Sequence, residues 1–198
     1  MSDKREELMD AAESRIRSNG YDGFSFRELA AAAGIKSSSV HYYFPTKADL
    51  GAAVARRYTD RFFATLPVAP KDPVKALHEA FVRAIRSDKQ ACLCGVLGSV
   101  SGSLPSPVGA EAKRFFERAM EYLLEGRKRR AASGAERDWA FQVVAQLEGG
   151  MMLALALGDV AAFGSLARGL AARPTGRGHG SRRPADRPAR GSRSWLRS

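Results

Sequence analysis

The chain has 198 residues, of which 44% are hydrophobic and 27% are charged, and only two are cysteines. These proportions are typical of a globular protein with one large or two small domains, and they exclude a disulfide-rich secreted scaffold. The longest uncharged apolar stretch, residues 149–157, is shorter than the roughly 18 residues that span a bilayer, so we expect a cytoplasmic protein without a membrane partner. The net charge of +11 favours a polyanionic partner.

Two helices are predicted at the N-terminus. Apolar residues recur every four positions from Leu8 and predict the first helix over residues 3–19. Ser25 and Glu28 have the spacing of a capping box, in which each side chain accepts a hydrogen bond from the other residue's backbone N–H. A second helix therefore begins after Ser25, and Gly34 ends it.

Two more helices follow closely. The third is predicted over residues 37–44, with Val40 and Phe44 facing inward and serines capping its first turn. Thr46 then caps a longer fourth helix, which carries an apolar residue every fourth position until Pro67.

The rest of the chain is also predicted to be helical. Asp72 as N-cap and Pro73 at the first helical position open the fifth helix. Apolar spacing places the later helices at about 93–100, 107–130, 135–157 and 159–170. Because no strand pattern occurs, we predict an all-α fold of about nine helices, in a small N-terminal unit and a larger C-terminal one.

The segment from Phe24 to Leu50 has the layout of a helix-turn-helix, whose second helix enters a major groove of about 12 Å. Small serines allow close backbone approach, and Lys47 in the first turn of the fourth helix suits a phosphate. The predicted contacts from this layout are Lys36, Ser37, Ser38, Ser39, His41, Tyr42, Tyr43 and Lys47. An ordinary helical hairpin with core tyrosines is the alternative.

The residue string from Phe24 to Leu50, FSFRELAAAAGIKSSSVHYYFPTKADL, closely resembles the DNA-binding signature of TetR-type (TetR/AcrR) bacterial transcriptional repressors. The positions that match are Arg27, Leu29, Ala30, Ala33, Gly34, Ile35, Tyr43, Phe44, Lys47 and Leu50. His41 departs from the pattern, because the family often has tyrosine there. The resemblance implies that Arg27 joins the DNA contacts, on the backbone or an outer base.

The resemblance also implies an organisation for the whole chain. A three-helix DNA-binding domain would occupy residues 1–46, a connecting helix 47–66, and a helical ligand-binding and dimerisation domain 67–173. Family members form homodimers through their last two helices, so the predicted interface residues are Gly149, Gly150, Met151, Leu155, Phe163 and Leu166. A fully buried core helix in a monomer is the competing interpretation of residues 149–157.

The implied function is that of a dimeric repressor that binds an inverted-repeat operator in double-stranded DNA and releases it when an unknown small-molecule effector binds. The predicted effector-binding residues are Phe81, Phe115, Phe116, Met120, Trp139, Gln142 and Gln146, which are otherwise plain core. No catalytic pair, cofactor loop or metal-ligand cluster occurs at a persuasive spacing, so we expect neither an enzyme, a cofactor nor a metal site.

Two alternatives come from other features. Cys92 and Cys94 raise the hypothesis of a repressor that senses oxidants or electrophiles through a thiolate. Residues 174–198 contain seven arginines and one acid with no apolar periodicity, which predicts a disordered basic tail. Such a tail would make a non-specific nucleic-acid binder even without a helix-turn-helix.

Overall fold

In the computed structural model, residues 3–124 and 132–166 are described, and helices joined by short connections make up nearly all of them. The helices are α1 (Lys4–Asn19), α2 (Phe26–Ala32), α3 (Ser37–Tyr43), α4 (Lys47–Ala64), α5 (Pro73–Asp88), α6 (Leu93–Ser99), α7 (Ser106–Leu124), α8 (Gly134–Ala156) and α9 (Val160–Gly164), with a 3-10 turn at Ser101–Ser103 after α6. Neither described range contains a strand, which confirms the predicted all-α class. In the same ranges, no helix combines the length and apolar character needed to cross a bilayer. The predicted continuations of α7 to 130 and α9 to 170, and the basic segment 174–198, lie outside the described residues.

Capping boxes fix where two of the N-terminal helices begin. At α2, the Glu28 N–H donates to Ser25 Oγ at 3.3 Å and the Ser25 N–H donates to Glu28 Oε2 at 2.8 Å. Thr46 and Asp49 form the same reciprocal pair at the start of α4, at 3.1 and 3.0 Å. Since each pair satisfies two backbone donors that the helix leaves open, both predicted starts are confirmed.

Two details differ from the sequence-based expectation. The N-cap of α3 is Lys36 and no side chain caps that helix, so the prediction of serine capping was wrong. Helix α4 ends at Ala64, where the Thr65 N–H donates to the Phe62 carbonyl at 3.2 Å, rather than continuing to Pro67. A residue before proline avoids helical dihedrals, which ends the helix early.

Apolar side chains from α1 to α4 share one core. Leu8, Leu29, Val40 and Leu50 have no exposed surface, and Phe44 is 2% exposed. Val40 and Phe44 therefore face inward as predicted, and they anchor one side of α3. Its other side is consequently turned away from the protein.

Helix α4 packs against α1 and against α7, and ion pairs accompany both contacts. Arg57 on α4 lies 2.7 Å from Glu6 on α1, and Asp60 lies 2.6 and 2.8 Å from Arg114 and Arg118 on α7. Partly exposed pairs contribute about 0–1 kcal/mol each, so their main effect is to set which face of α4 meets each neighbour.

Candidate nucleic-acid interface

Backbone hydrogen bonds around Gly34 set the turn between α2 and α3. The Ile35 N–H donates to the Ala30 carbonyl at 3.0 Å, and the Gly34 N–H donates to the Ala31 carbonyl at 3.3 Å. This pair of bonds is the Schellman arrangement that ends many helices. Gly34 has a φ of +65°, which residues with side chains adopt at an energetic cost. The glycine therefore lets the chain reverse sharply into α3.

The outward side of α3 carries the polar residues that the sequence predicts as DNA contacts. Six of the nine predicted contacts are exposed, namely Arg27, Lys36, Ser37, Ser38, His41 and Tyr42, and three are partly buried, namely Ser39, Tyr43 and Lys47. Tyr42 is 85% exposed, so it contributes almost nothing to the core of the protomer. This exposure disfavours the alternative of a helical hairpin whose tyrosines are both core residues.

The three serines at the start of α3 keep their hydroxyl groups unengaged. Within residues 3–124 and 132–166, the side chains of Ser37, Ser38 and Ser39 make no hydrogen bond. Each hydroxyl donates and accepts, and each is small enough to leave the backbone accessible. The absence of a serine cap thus leaves three adaptable groups at the leading end of the helix.

The His41 ring is held by two neighbours. Its Nδ1 lies 3.1 Å from the Pro45 carbonyl, and its ring meets Phe26 edge-to-face with centroids 4.9 Å apart. A carbonyl can only accept, so we assign the hydrogen to Nδ1, which leaves Nε2 of the neutral ring as an acceptor that faces away from Pro45. This arrangement was not predicted from the sequence, although the spacing of four residues between His41 and Pro45 is a signal that could have indicated it.

Lys47 is positioned by a small aromatic platform. Its Nζ lies 4.9 and 4.6 Å from the ring centroids of Tyr21 and Phe24, and 3.5 Å from Asp22 Oδ1. The Asp22 side chain is 95% exposed, so this ion pair is weak and a phosphate can displace it. The platform holds the ammonium beside α3, and nothing in the sequence indicated that the loop after α1 would supply it.

Comparison with known proteins identifies the family. The family model described as bacterial regulatory proteins, tetR family, matches residues 8–54. The fold is similar to the crystal structure of a TetR transcriptional regulator from Legionella pneumophila, with 30% identity and a TM-score of 0.74 over 86% of this chain and 96% of that chain. The chain belongs to the TetR family. The TetR-family chain is accordingly a transcriptional regulator with a DNA-binding helix-turn-helix.

Two curated relatives align with part of the TetR-family chain. The HTH-type transcriptional regulator RutR of Escherichia coli (strain K12) is 31% identical over 81 residues, which are 40% of this chain and 38% of RutR. The HTH-type transcriptional repressor DhaR of Mycobacterium sp. (strain GP1) is 27% identical over 118 residues, 57% of this chain and 60% of DhaR. Each alignment therefore spans less than two thirds of the relative's own length.

The predicted effector-binding residues of the TetR-family chain are only partly brought together. Phe81 and Phe115 are fully buried, and Phe62 lies 5.2 Å from each of them, centroid to centroid. Phe116 packs edge-to-face on Phe115 at 5.5 Å. Of the remaining residues, Trp139 is buried, Met120 and Gln146 are partly buried, and Gln142 is exposed. Phe63 also lies 5.5 Å from Phe115, centroid to centroid. We call these packed rings the aromatic cluster: Phe62, Phe63, Phe81, Phe115 and Phe116. The exposed Gln142 is not part of it.

The two thiols of the TetR-family chain lie in the core. Cys92 is 2% exposed and Cys94 is not exposed at all, and neither forms a disulfide. Burial raises the pKa of both thiols well above the ordinary value, and the nearby Glu148 carboxyl raises the pKa of Cys92 further. Because oxidants and electrophiles react with the thiolate, this environment disfavours the cysteine-sensing alternative.

Proposed function

We propose that this TetR-family regulator is a homodimeric repressor that binds an inverted-repeat operator through α3 and releases it when a small-molecule effector binds. The presentation of α3 is the observation that carries the proposal. Val40 and Phe44 anchor the helix, while Ser38, His41 and Tyr42 face outward, as a helix in a major groove requires. The name of the relative DhaR, a repressor, supports repression. The relatives are regulators, so we propose no catalytic reaction.

The proposed DNA contacts divide into two chemical groups. Serine hydroxyls meet base edges or phosphates at the leading end of α3, and His41 Nε2, as an acceptor, meets base amino groups on its outward side. The cations and tyrosines meet the phosphate backbone and set the position of α3, namely Arg27, Lys36, Tyr42, Tyr43 and Lys47. In this proposal residues 1–46 form the DNA-binding domain and residues 67–173 form the domain that binds the effector and dimerises. Residues 47–66 form the helix that connects the two domains.

Exposed apolar residues on α8 and at its C-cap support the proposed dimer. Phe141, Met152, Leu153 and Leu157 are between 61% and 77% exposed. Phe141 and Met152 lie on the same side of α8, because three helical turns contain about 11 residues. Burying such side chains against a second copy stabilises the assembly by about 1.5–3 kcal/mol for each one that becomes fully buried. The competing interpretation, a fully buried core helix, does not fit these exposures.

The proposed interface leaves out two of the predicted interface residues, Met151 and Phe163. Met151 is 1% exposed and Phe163 is 2% exposed within a single protomer, so neither offers surface to a partner. Gly150 allows α8 to approach α9 and the residues after it within one chain, since a Cβ there would lie 3.3 Å from the Phe163 ring and 2.6 Å from Leu166 Cδ2. Gly149, Leu155 and Leu166 are partly exposed and stay in the proposed interface.

Helix α4 is the proposed link between effector and DNA. It begins at Lys47, beside α3, and its last turns place Phe62 and Phe63 in the aromatic cluster. A displacement of the C-terminal end of a rigid helix moves its N-terminal end as well. Two copies of α3 must stay about 34–36 Å apart to reach successive major grooves, so such a displacement weakens operator binding.

Replacing Lys47 with glutamine is expected to weaken binding to all DNA sequences by about tenfold, because the change removes one charged phosphate contact from each subunit. The slope of log affinity against log salt concentration should become shallower by about 0.9 for each subunit. Fluorescence anisotropy over a salt series measures both quantities. The matched control is K75Q, which removes an exposed lysine on α5. An unchanged salt slope in K47Q would refute this contact.

The proposed function is tested by removing the basic tail. DNA fragments are first selected from a random-sequence library with the full chain, and the affinity for selected and random fragments is then measured for the full chain and for a chain ending at residue 173. We expect both to prefer the selected fragments by about a thousandfold, since base contacts come from α3. Loss of this preference on deletion would instead favour the tail-driven, non-specific binder.

A further inference from the structure

A cleft of about 300 Å³ opens between α1, α4 and α5. It adjoins the predicted effector-binding phenylalanines through Phe62, but Phe81, Phe115 and Phe116 do not line it. All three helices contribute side chains to its lining. The residues that line it are Glu13, Arg17, Tyr58, Arg61, Phe62, Thr65, Ala80, Arg83, Ala84 and Ser87. We call this space the α1–α5 cleft. Its volume lies at the lower end of the range for small-molecule sites.

The charges of the α1–α5 cleft favour an anion. Three arginines and one glutamate line it, and the Glu13 carboxylate is already paired with Arg61 at 2.6 Å and Arg57 at 3.2 Å. Arg83 is different, because the only hydrogen bonds of its Nη2 to described residues are those to the Thr65 carbonyl and hydroxyl, at 3.4 and 3.5 Å. No carboxylate in the described part of the chain pairs with Arg83. Its guanidinium is therefore available for a ligand carboxylate.

The remaining walls favour a flat apolar body. Tyr58 and Phe62 are 5% and 8% exposed, and their rings are nearly parallel, with an interplanar angle of 22°. Ala80 and Ala84 of α5 also line the cleft, and their small side chains leave room that larger side chains would fill. A ligand that packs its apolar part against the two rings can thus direct its charged end to Arg83.

The cleft also lies where the N-terminal unit of the chain contacts the C-terminal unit. On α1, Arg17 Nε donates to the Ala91 carbonyl at 2.7 Å and its Nη2 donates to the Gln90 carbonyl at 3.1 Å, both in the segment between α5 and α6. Glu13 of α1 pairs with Arg61 of α4. A ligand in the cleft would contact all three helices where α1 is held to the C-terminal unit.

We propose that the α1–α5 cleft binds a small aromatic carboxylate, with the carboxylate on Arg83 and the ring against Tyr58 and Phe62. The assignment of this ligand as the effector rests on the proposed function. The binding of such a ligand to the cleft does not depend on the proposed function, because it can be measured in the absence of DNA. A ligand here would change the separation of α1 and α5 and therefore the position of α3.

Isothermal titration of the full chain with benzoate tests the binding site. We expect saturable binding with a Kd of about 1 mM or tighter, and about tenfold weaker binding of benzamide, which has the same shape but no charge. R83Q should weaken benzoate binding about tenfold, and the matched control R86Q, on the next turn of α5, should leave it unchanged.

A second variant tests the location independently of charge. A84F fills the cleft and should abolish benzoate binding, provided that thermal unfolding shows the variant is folded. Absence of saturable benzoate binding, equal binding of benzamide, or native affinity in either R83Q or folded A84F would overturn the proposal. If benzoate binds as expected but does not release the selected DNA, the site stands and only its role as the effector site fails.

Discussion

Replacing Ser38 with glutamate should reduce specific DNA affinity by at least about a hundredfold, because like charges brought together across an interface cost several kcal/mol. Ser38 is exposed in the first turn of α3 and its hydroxyl makes no hydrogen bond within the described residues. In the proposed complex a carboxylate at this position meets DNA phosphates and base edges in both half-sites. Two such repulsions act on one dimer, so the loss exceeds that expected from removing a single hydrogen bond.

The fold of S38E should be intact, which makes the effect on DNA interpretable. A negative charge in the first turn of a helix is stabilised by the helix dipole, by about 0.3–1 kcal/mol. Because the side chain of Ser38 lies outside the core, glutamate displaces no buried group. The thermal unfolding temperature should therefore be unchanged or slightly higher.

Fluorescence anisotropy with selected and random fragments, together with thermal unfolding, measures both quantities. S101E is the matched control, since Ser101 is an exposed serine in the 3-10 turn after α6, remote in sequence from the helix-turn-helix. The control should bind the selected DNA like the native chain. Native affinity in S38E would show that α3 does not enter the groove, and would refute the proposed DNA contacts.

The sequence predicted the DNA-binding unit well because its signals are local. A capping box such as Ser25 with Glu28 joins residues three positions apart, so the pattern alone locates the start of α2. Val40 and Phe44, four apart, likewise predicted the buried side of α3. The start of α2 and the buried side of α3 together indicated that the polar side of α3 faces outward.

Sequence spacing could not settle the parts that depend on distant segments. Helix α8 is apolar on most of its circumference, so spacing did not distinguish Met151, which is buried within the protomer, from Met152, which is exposed. The cationic side of the α1–α5 cleft combines Arg17, Arg61 and Arg83 from three different helices. Each of these arginines alone has the pattern of an ordinary surface cation.

Glu148 is a second feature that the sequence did not indicate, although it affects stability strongly. It lies on α8 between apolar neighbours and faces α6, where a Cβ at Gly95 would lie 2.5 Å from Glu148 Oε2. Its other oxygen, Oε1, is shielded from solvent and has no hydrogen-bond partner among residues 3–124 and 132–166. Burial raises the pKa of Glu148 from the ordinary 4.5 to about 7, and a hydrogen bond with Cys92 offsets part of that shift.

The stability of E148Q relative to that of the native chain should therefore be greater at pH 8 than at pH 5. The folded protein keeps the Glu148 proton between about pH 4.5 and 7, whereas the unfolded chain loses it, so the stability of the native chain falls as the pH rises through this window. A shift of this size corresponds to about 3 kcal/mol of unfolding free energy. Glutamine is neutral throughout, so E148Q lacks this contribution to the pH dependence.

Urea unfolding of both proteins at pH 5 and pH 8, with reductant present, measures the difference. The unfolding free energy of E148Q minus that of the native chain should be about 2–3 kcal/mol larger at pH 8 than at pH 5, in favour of the folded variant. Any packing cost of the amide is common to both pH values and cancels in this comparison. E121Q, which neutralises an exposed carboxylate on α7, should show no comparable change. If E148Q also shows none, the Glu148 carboxyl must be solvated, and α6 cannot pack on it as described.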